Sequence, residues 1–125
     1  MELPRIGLVG MGGFALTYKS YIDSVEKAQI ARQVAQVAIP IDQKKYTNEL
    51  ARLKENGVAI FPSLREMLSE MRTDLDLVCL PIGIPLHRTM TISVLEADCN
   101  VLVEKPAAGC IQDFNAMLMA QNASN

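Results

Sequence analysis

Between Arg5 and Val25 the sequence changes its hydrophobic rhythm once, and the change falls on glycines. Arg5-Ile-Gly-Leu-Val9 is a short apolar run, while Phe14, Tyr18, Tyr21, Ile22 and Val25 recur at helical spacing, with Gly10-Met11-Gly12-Gly13-Phe14-Ala15 between them. An apolar run bounded by turn residues predicts a strand, and the second pattern predicts a helix. A strand that turns straight into a helix starts a βα unit, whose next strand lies parallel. The junction reads G-x-G-x-x-A. Its first Gly permits the tight turn, its second lets backbone approach a pyrophosphate, and the small Ala15 lets helix and strand pack closely. Phosphates would then sit on the free N–H groups of the helix's first turn, where the macrodipole also favours negative charge. A glycine turn of purely structural purpose is the alternative, against which the flanking strand and helix weigh. Tyr18 and Tyr21 are expected to pack rather than to touch a ligand.

The same alternation runs to the end of the chain. Val34 to Ile39 predicts a second buried strand, and Tyr46, Leu50 and Leu53 stripe a helix that Gly57 ends. A short strand over Val58 to Ile60 follows. Ser63 and Glu66 stand at capping-box spacing before a helix built on Leu64, Met67, Leu68 and Met71. Leu75 to Leu80 predicts the fourth strand, Met90, Val94 and Ala97 the next helix, and Val101-Leu102-Val103 a fifth strand buried on both faces. Ile111, Phe114, Met117 and Leu118 form a last helix. Residues 1–125 are therefore expected to make one α/β domain: a doubly wound parallel sheet between two helix layers (αβα), with strand order 3-2-1-4-5.

In such a sheet a ligand crevice opens beyond the carboxyl ends of the strands. The fourth strand ends there in Pro81-Ile82-Gly83-Ile84-Pro85-Leu86-His87, and the fifth in Glu104-Lys105-Pro106. The Lys105 ammonium can hold a hydroxyl or carbonyl oxygen by a charge-assisted hydrogen bond, with Glu104 as its partner. Two solvated charges at a strand end are the plain alternative. His87, the only histidine, is either a packing residue or a cleft group. A dinucleotide site also wants an acid at the end of its second strand, about 20 residues past the glycines, to hold the adenosine ribose. Pro40 and Ile41 occupy that place, and Asp42 arrives late, before Gln43, Lys44 and Lys45. Asp42 reaches back to the ribose, or the lysines accept a 2′-phosphate, or the ribose is held loosely; a helix-opening Asp42 with surface lysines accounts for the pattern equally well.

Composition narrows the partners. A net charge of −2 with no basic stripe leaves no electrostatic footprint for nucleic acid. The three cysteines show no metal spacing and cannot all pair, so a metal site or disulfide framework is not expected, and a reduced cytoplasmic setting is. Met1-Glu-Leu-Pro-Arg5 leads directly into a strand without a signal peptide, and no apolar run nears the ~20 residues that span a bilayer, so a soluble protein is expected.

Strand-helix alternation, the glycine turn, the proline-rich loop ending in His87, and Val-Leu-Val-Glu104-Lys105-Pro106 together resemble the N-terminal domain of the Gfo/Idh/MocA oxidoreductases, a Rossmann domain binding NAD or NADP. The resemblance covers essentially the whole chain. It implies that Gly10, Met11, Gly12, Gly13 and Phe14 surround the dinucleotide phosphates and that Asp42 approximates the ribose contact. It also implies that the loop with Pro81, Ile82 and His87 passes along the nicotinamide, and that Glu104 and Lys105 border it, with Lys105 the catalytic lysine. The substrate implied is a sugar, cyclitol or related polyol, oxidised at a secondary alcohol or formed from the ketone. Two departures stand out. Ile82-Gly83-Ile84 replaces a loop that in the family often reads Thr-Pro-Asn. The family also continues into a further strand and a second α/β domain that holds substrate and mediates oligomerisation, so this chain is expected to be the cofactor domain of a longer, oligomeric parent and inactive by itself. A dinucleotide-binding regulator or scaffold that keeps the fold without the chemistry is the alternative.

Overall fold

Short, largely apolar runs form the strands: β1 (Arg5–Val9), β2 (Arg32–Val37), β3 (Ala59–Phe61), β4 (Leu77–Leu80) and β5 (Asn100–Val103). The computed structural model describes residues 2–125, and in it all five lie parallel in the order β3-β2-β1-β4-β5, as the sequence predicts. Helices α1 (Ala15–Lys27), α2 (Pro40–Lys45), α3 (Thr47–Glu55), α4 (Leu64–Met71), α5 (Ile84–Glu96) and α6 (Ile111–Ala123) connect and cover them. Because each crossover is right-handed, the connections running outward from β1 to β3 put α1 and α3 on one face, and those running the other way put α4 and α5 on the opposite face.

Alternation along the strands divides the core accordingly. Ile6, Leu8 and Cys79 meet Tyr18 and Ile22 of α1. Val9, Val37, Val78 and Leu80 meet Met67 of α4 and Val94 of α5 on the other side. Burying each of these large side chains is worth about 1.5–3 kcal/mol. Ser63 caps α4 as its spacing predicts, its Oγ accepting from the Glu66 N–H at 3.2 Å. Arg5 fastens β1 to β4, with its backbone N–H 2.7 Å and its Nε 3.1 Å from one Asp76 oxygen. That donor pair holds the Asp76 carboxyl below its ordinary pKa.

Several expected boundaries move. β2 is two residues earlier than 34–39: Pro40, suited to the first turn of a helix, starts α2 there, with Ile39 as the flanking residue. Tyr46, at φ −110° and ψ 41°, then divides the expected single helix into α2 and α3. β3 begins and ends one residue later than 58–60, and a 3₁₀ turn over Arg72–Asp74 delays β4 to Leu77. Tyr21 does not pack; it lies on the solvent side of α1. β5 is not buried on both faces. Among the described residues it pairs only with β4, α5 covers the side of Val101 and Val103, and α1 sits over β1 and β2, so Leu102 is 48% exposed.

Candidate functional site

The rim at the carboxyl ends of the strands is built first by the glycine turn. The Gly10 N–H donates to the Val37 carbonyl at 3.0 Å, and the chain then reverses through Gly10 (φ +108°) and Gly13 (φ +57°), conformations that side chains resist. The carbonyls of Gly12, Gly13 and Phe14 accept the first N–H groups of α1. The N–H groups of Met11, Gly12, Gly13 and Phe14 donate to no acceptor among the described residues. Four successive free donors at a 13-residue helix's N-terminus form a cradle for anionic oxygen. The residues therefore fit a pyrophosphate. Ala15 is buried, and its methyl lies 3.6 Å from where a Gly10 Cβ would stand, which is the close packing the motif predicts.

Gly12 answers a second demand. A Cβ there would come 2.7 Å from the Tyr46 hydroxyl, so α3's leading tyrosine reaches over the turn. Tyr46 also lies under the Lys45 ammonium, 5.3 Å from its ring centroid. Below it, a cleft of about 320 Å³ runs between α1 and α3, lined among others by Met11, Lys19, Gln36 and Arg52.

β2 ends beside the turn, but with its tip at Ala38 and Ile39 rather than at Pro40 and Ile41. Ile39 is half-exposed where a ribose-binding acid belongs. Asp42 sits in the first turn of α2, partly buried, with no side-chain hydrogen bond among the described residues, and Lys44 and Lys45 occupy that helix's last turn.

Glu104 and Lys105 follow β5 on this same rim. They do not pair with each other. Successive residues of an extended chain point to opposite faces, and Glu104 turns to the α1 side, where its Oε2 accepts from the Tyr18 hydroxyl at 2.9 Å. Its other oxygen accepts from the Lys105 backbone N–H at 3.3 Å. Burial first, and this carboxylate second, push the Tyr18 phenol up to about 12, so it is a neutral donor that ties the helix of the glycine turn to the tip of β5. Phe14 stands edge-on to the same ring, centroids 5.9 Å apart. The Lys105 side chain is exposed and has no protein partner among the described residues.

The loop after β4 offers backbone rather than side chains. Pro81 is buried and Ile82 packs on the core. His87 is sealed inside, 1% exposed, with Nε2 2.9 Å from the Ile82 carbonyl and Nδ1 2.9 and 3.1 Å from those of Pro106 and Ala107. Whichever nitrogen carries the hydrogen has a carbonyl to receive it. His87 thus sits between the β4 loop and the turn that carries Lys105, donating to one of them, and is closed off from solvent. Sequence reasoning missed the Tyr18–Glu104 bond and the reach of Tyr46; the only local sign was Tyr18 falling on the buried stripe of its helix.

Residues 4–125 match the oxidoreductase family Gfo/Idh/MocA, described as an NAD-binding Rossmann fold. The chain belongs to this family. A search of the curated proteins finds no match. Among solved structures, the Gfo/Idh/MocA domain is similar to the WlbA dehydrogenase of Chromobacterium violaceum, in complex with NADH and UDP-GlcNAcA, at 31% identity and a TM-score of 0.77 over 97% of this chain and 32% of that one. It is similar to the WlbA dehydrogenase of Bordetella pertussis, with the same two ligands, at 25% identity and a TM-score of 0.80 over 98% of this chain and 35% of that one. With the myo-inositol 2-dehydrogenase of Lactobacillus plantarum it shares the fold, at 22% identity and a TM-score of 0.78 over 98% of this chain and 34% of that one. The chain spans about a third of the length of these proteins. Among the described residues, no helix is long and apolar enough to cross a membrane.

Proposed function

We propose that this domain holds NAD or NADP for a protein that moves hydride between the nicotinamide and a secondary alcohol or ketone of a sugar, cyclitol or related polyol. The observation that carries this reading is the row of four free N–H groups from Met11 to Phe14 on the rim that also bears Lys105. Those donors take the pyrophosphate, with Gly10 and Gly13 shaping the turn. Asp42 and the tip of β2 border the adenosine ribose. The backbone of Pro81 and Ile82, held by His87, flanks the nicotinamide, and Glu104 fixes the base of the Lys105 turn. The dinucleotide supplies the hydride donor or acceptor. Lys105, without a protein partner among the described residues, grips the reacting oxygen and carries its proton. The sugar class is supported by the UDP-GlcNAcA held by the two WlbA dehydrogenases. A substrate-holding partner domain, a homo-oligomeric parent and a cytoplasmic setting, suited to free Cys79, Cys99 and Cys110, complete the proposal.

Ile39 at the ribose position favours a second reading, a regulator that binds the dinucleotide without using it. Titration with NADH and NADPH, followed by nicotinamide fluorescence, tests the shared part: we expect saturable binding of at least one, and no binding of either at about millimolar concentration would overturn both readings. In the protein joined to its substrate domain, Lys105→Ala should lower kcat by about 10²–10⁴-fold with dinucleotide affinity kept. Unchanged turnover would remove Lys105 from the chemistry.

A further inference from the structure

A buried amide stands under the glycine turn. Gln36, on β2, is 1% exposed in a strand whose neighbours are Val and Ala. Its Nε2 donates to the Gly10 carbonyl at 2.7 Å and to the Val37 carbonyl at 3.0 Å. Its Oε1 accepts from Gln33 Nε2 at 2.9 Å, and Gln33 Oε1 accepts from Lys19 Nζ at 3.0 Å, which pairs with Asp23 at 2.9 Å. Residues three apart on a regular strand face opposite ways. Here the register slips between Ile6 and Gly7, whose partners are Gln33 and Ala35, and this irregularity brings both glutamines to the α1 face. Burying two amides in a sheet is costly unless every polar atom is met. In this chain every one is, and the last donor in the series is spent on Gly10.

The choice of that carbonyl matters because C=O and the following N–H point in opposite directions across a trans peptide. Gly10 has no side chain to bar either orientation of the Gly10–Met11 peptide. With the carbonyl turned out, its oxygen would stand in the cradle and repel phosphate; with it drawn down toward β2, the Met11 N–H faces the cradle. We propose that Gln36 is a positioning residue that selects the second orientation and so sets the affinity for the dinucleotide pyrophosphate. The proposal rests on the dinucleotide reading above.

Calorimetric titration of the chain with NAD⁺ or NADP⁺, whichever the wild type binds, tests it. Gln36→Met keeps the length and loses the donor, and should bind about tenfold more weakly. Val94→Ala, a cavity on the opposite face of the sheet, controls for general loosening and should bind as wild type does. Gln36→Glu gives a test within one protein. Ionised, it repels both carbonyls, whereas protonated it can donate again, so its affinity should recover from about pH 8 to about pH 5 while that of Gln36→Met does not. Equal affinity of Gln36→Met and wild type, an equal loss in Val94→Ala, or a wild-type pH profile in Gln36→Glu would overturn the proposal. A wild type that binds neither dinucleotide defeats the reading of the site instead. In that event the ligand-free Met11 amide resonance decides, displaced in Gln36→Met if the amide sets the peptide and unmoved if it does not.

Discussion

The Tyr46 hydroxyl lies 2.7 Å from where a Gly12 methyl would stand, and the next ring atom lies at 3.7 Å, an ordinary contact. Gly12→Ala should therefore cost about 1–3 kcal/mol through crowding, and Tyr46→Phe should restore most of it, as urea denaturation of the double variant would show. Tyr18 sets an alkaline limit. Its phenol ionises at about 12 in the folded chain, against about 10 in an unfolded one. The unfolded state gives up its proton first, so this stabilisation is whole below about pH 10 and lost as the pH climbs through the folded value. Burial likewise pushes the Cys79 thiol up to about 11, adding a loss that begins near the ordinary thiol value of 9.0. Tyr18→Phe should flatten the fall above pH 10 in denaturation measured across that range and leave the Cys79 part in place.

At the scale of elements, the loops that follow β4 and β5 meet across one ring. Replacing His87 with Leu takes the donor from the carbonyls on one side of the ring, Ile82 or Pro106 and Ala107, and should cost about 1–3 kcal/mol in chemical denaturation. Amide exchange should also quicken across residues 104–111 more than across β1. Equal quickening everywhere would mean that His87 stabilises the fold without fastening that turn. That His87 follows the loop after the fourth strand was legible in the sequence; its inward aim was not, because two of the carbonyls it meets lie 19 and 20 residues away. Boundaries failed for a local reason. Apolar runs mark where a strand can exist, but Pro40 decides that β2 has already ended, and Tyr46 breaks a stripe that looks continuous.

For the whole molecule, a ligand that binds only the folded chain stabilises it by mass action, by about 2.7 kcal/mol at a hundred times its Kd. Thermal unfolding should therefore shift upward with dinucleotide. Gly13→Asp should abolish most of the shift while folding, since Asp tolerates φ +57° and no atom lies within 4 Å, yet its carboxylate enters the cradle. Gly13→Asn, uncharged, should keep more of it. The sequence by itself determined the parallel sheet, its strand order and the rim shared by the glycine turn and Lys105, because strand and helix periods and turn chemistry are properties of neighbouring residues, and parallel strands put every carboxyl end on one edge. Only the tertiary structure decided that Tyr18 takes Glu104 across 86 residues, that Gln36 takes Gly10 across 26, and that Leu102 is left bare at an edge. Those contacts depend on which side chains the packed layers bring face to face, and no local pattern records that.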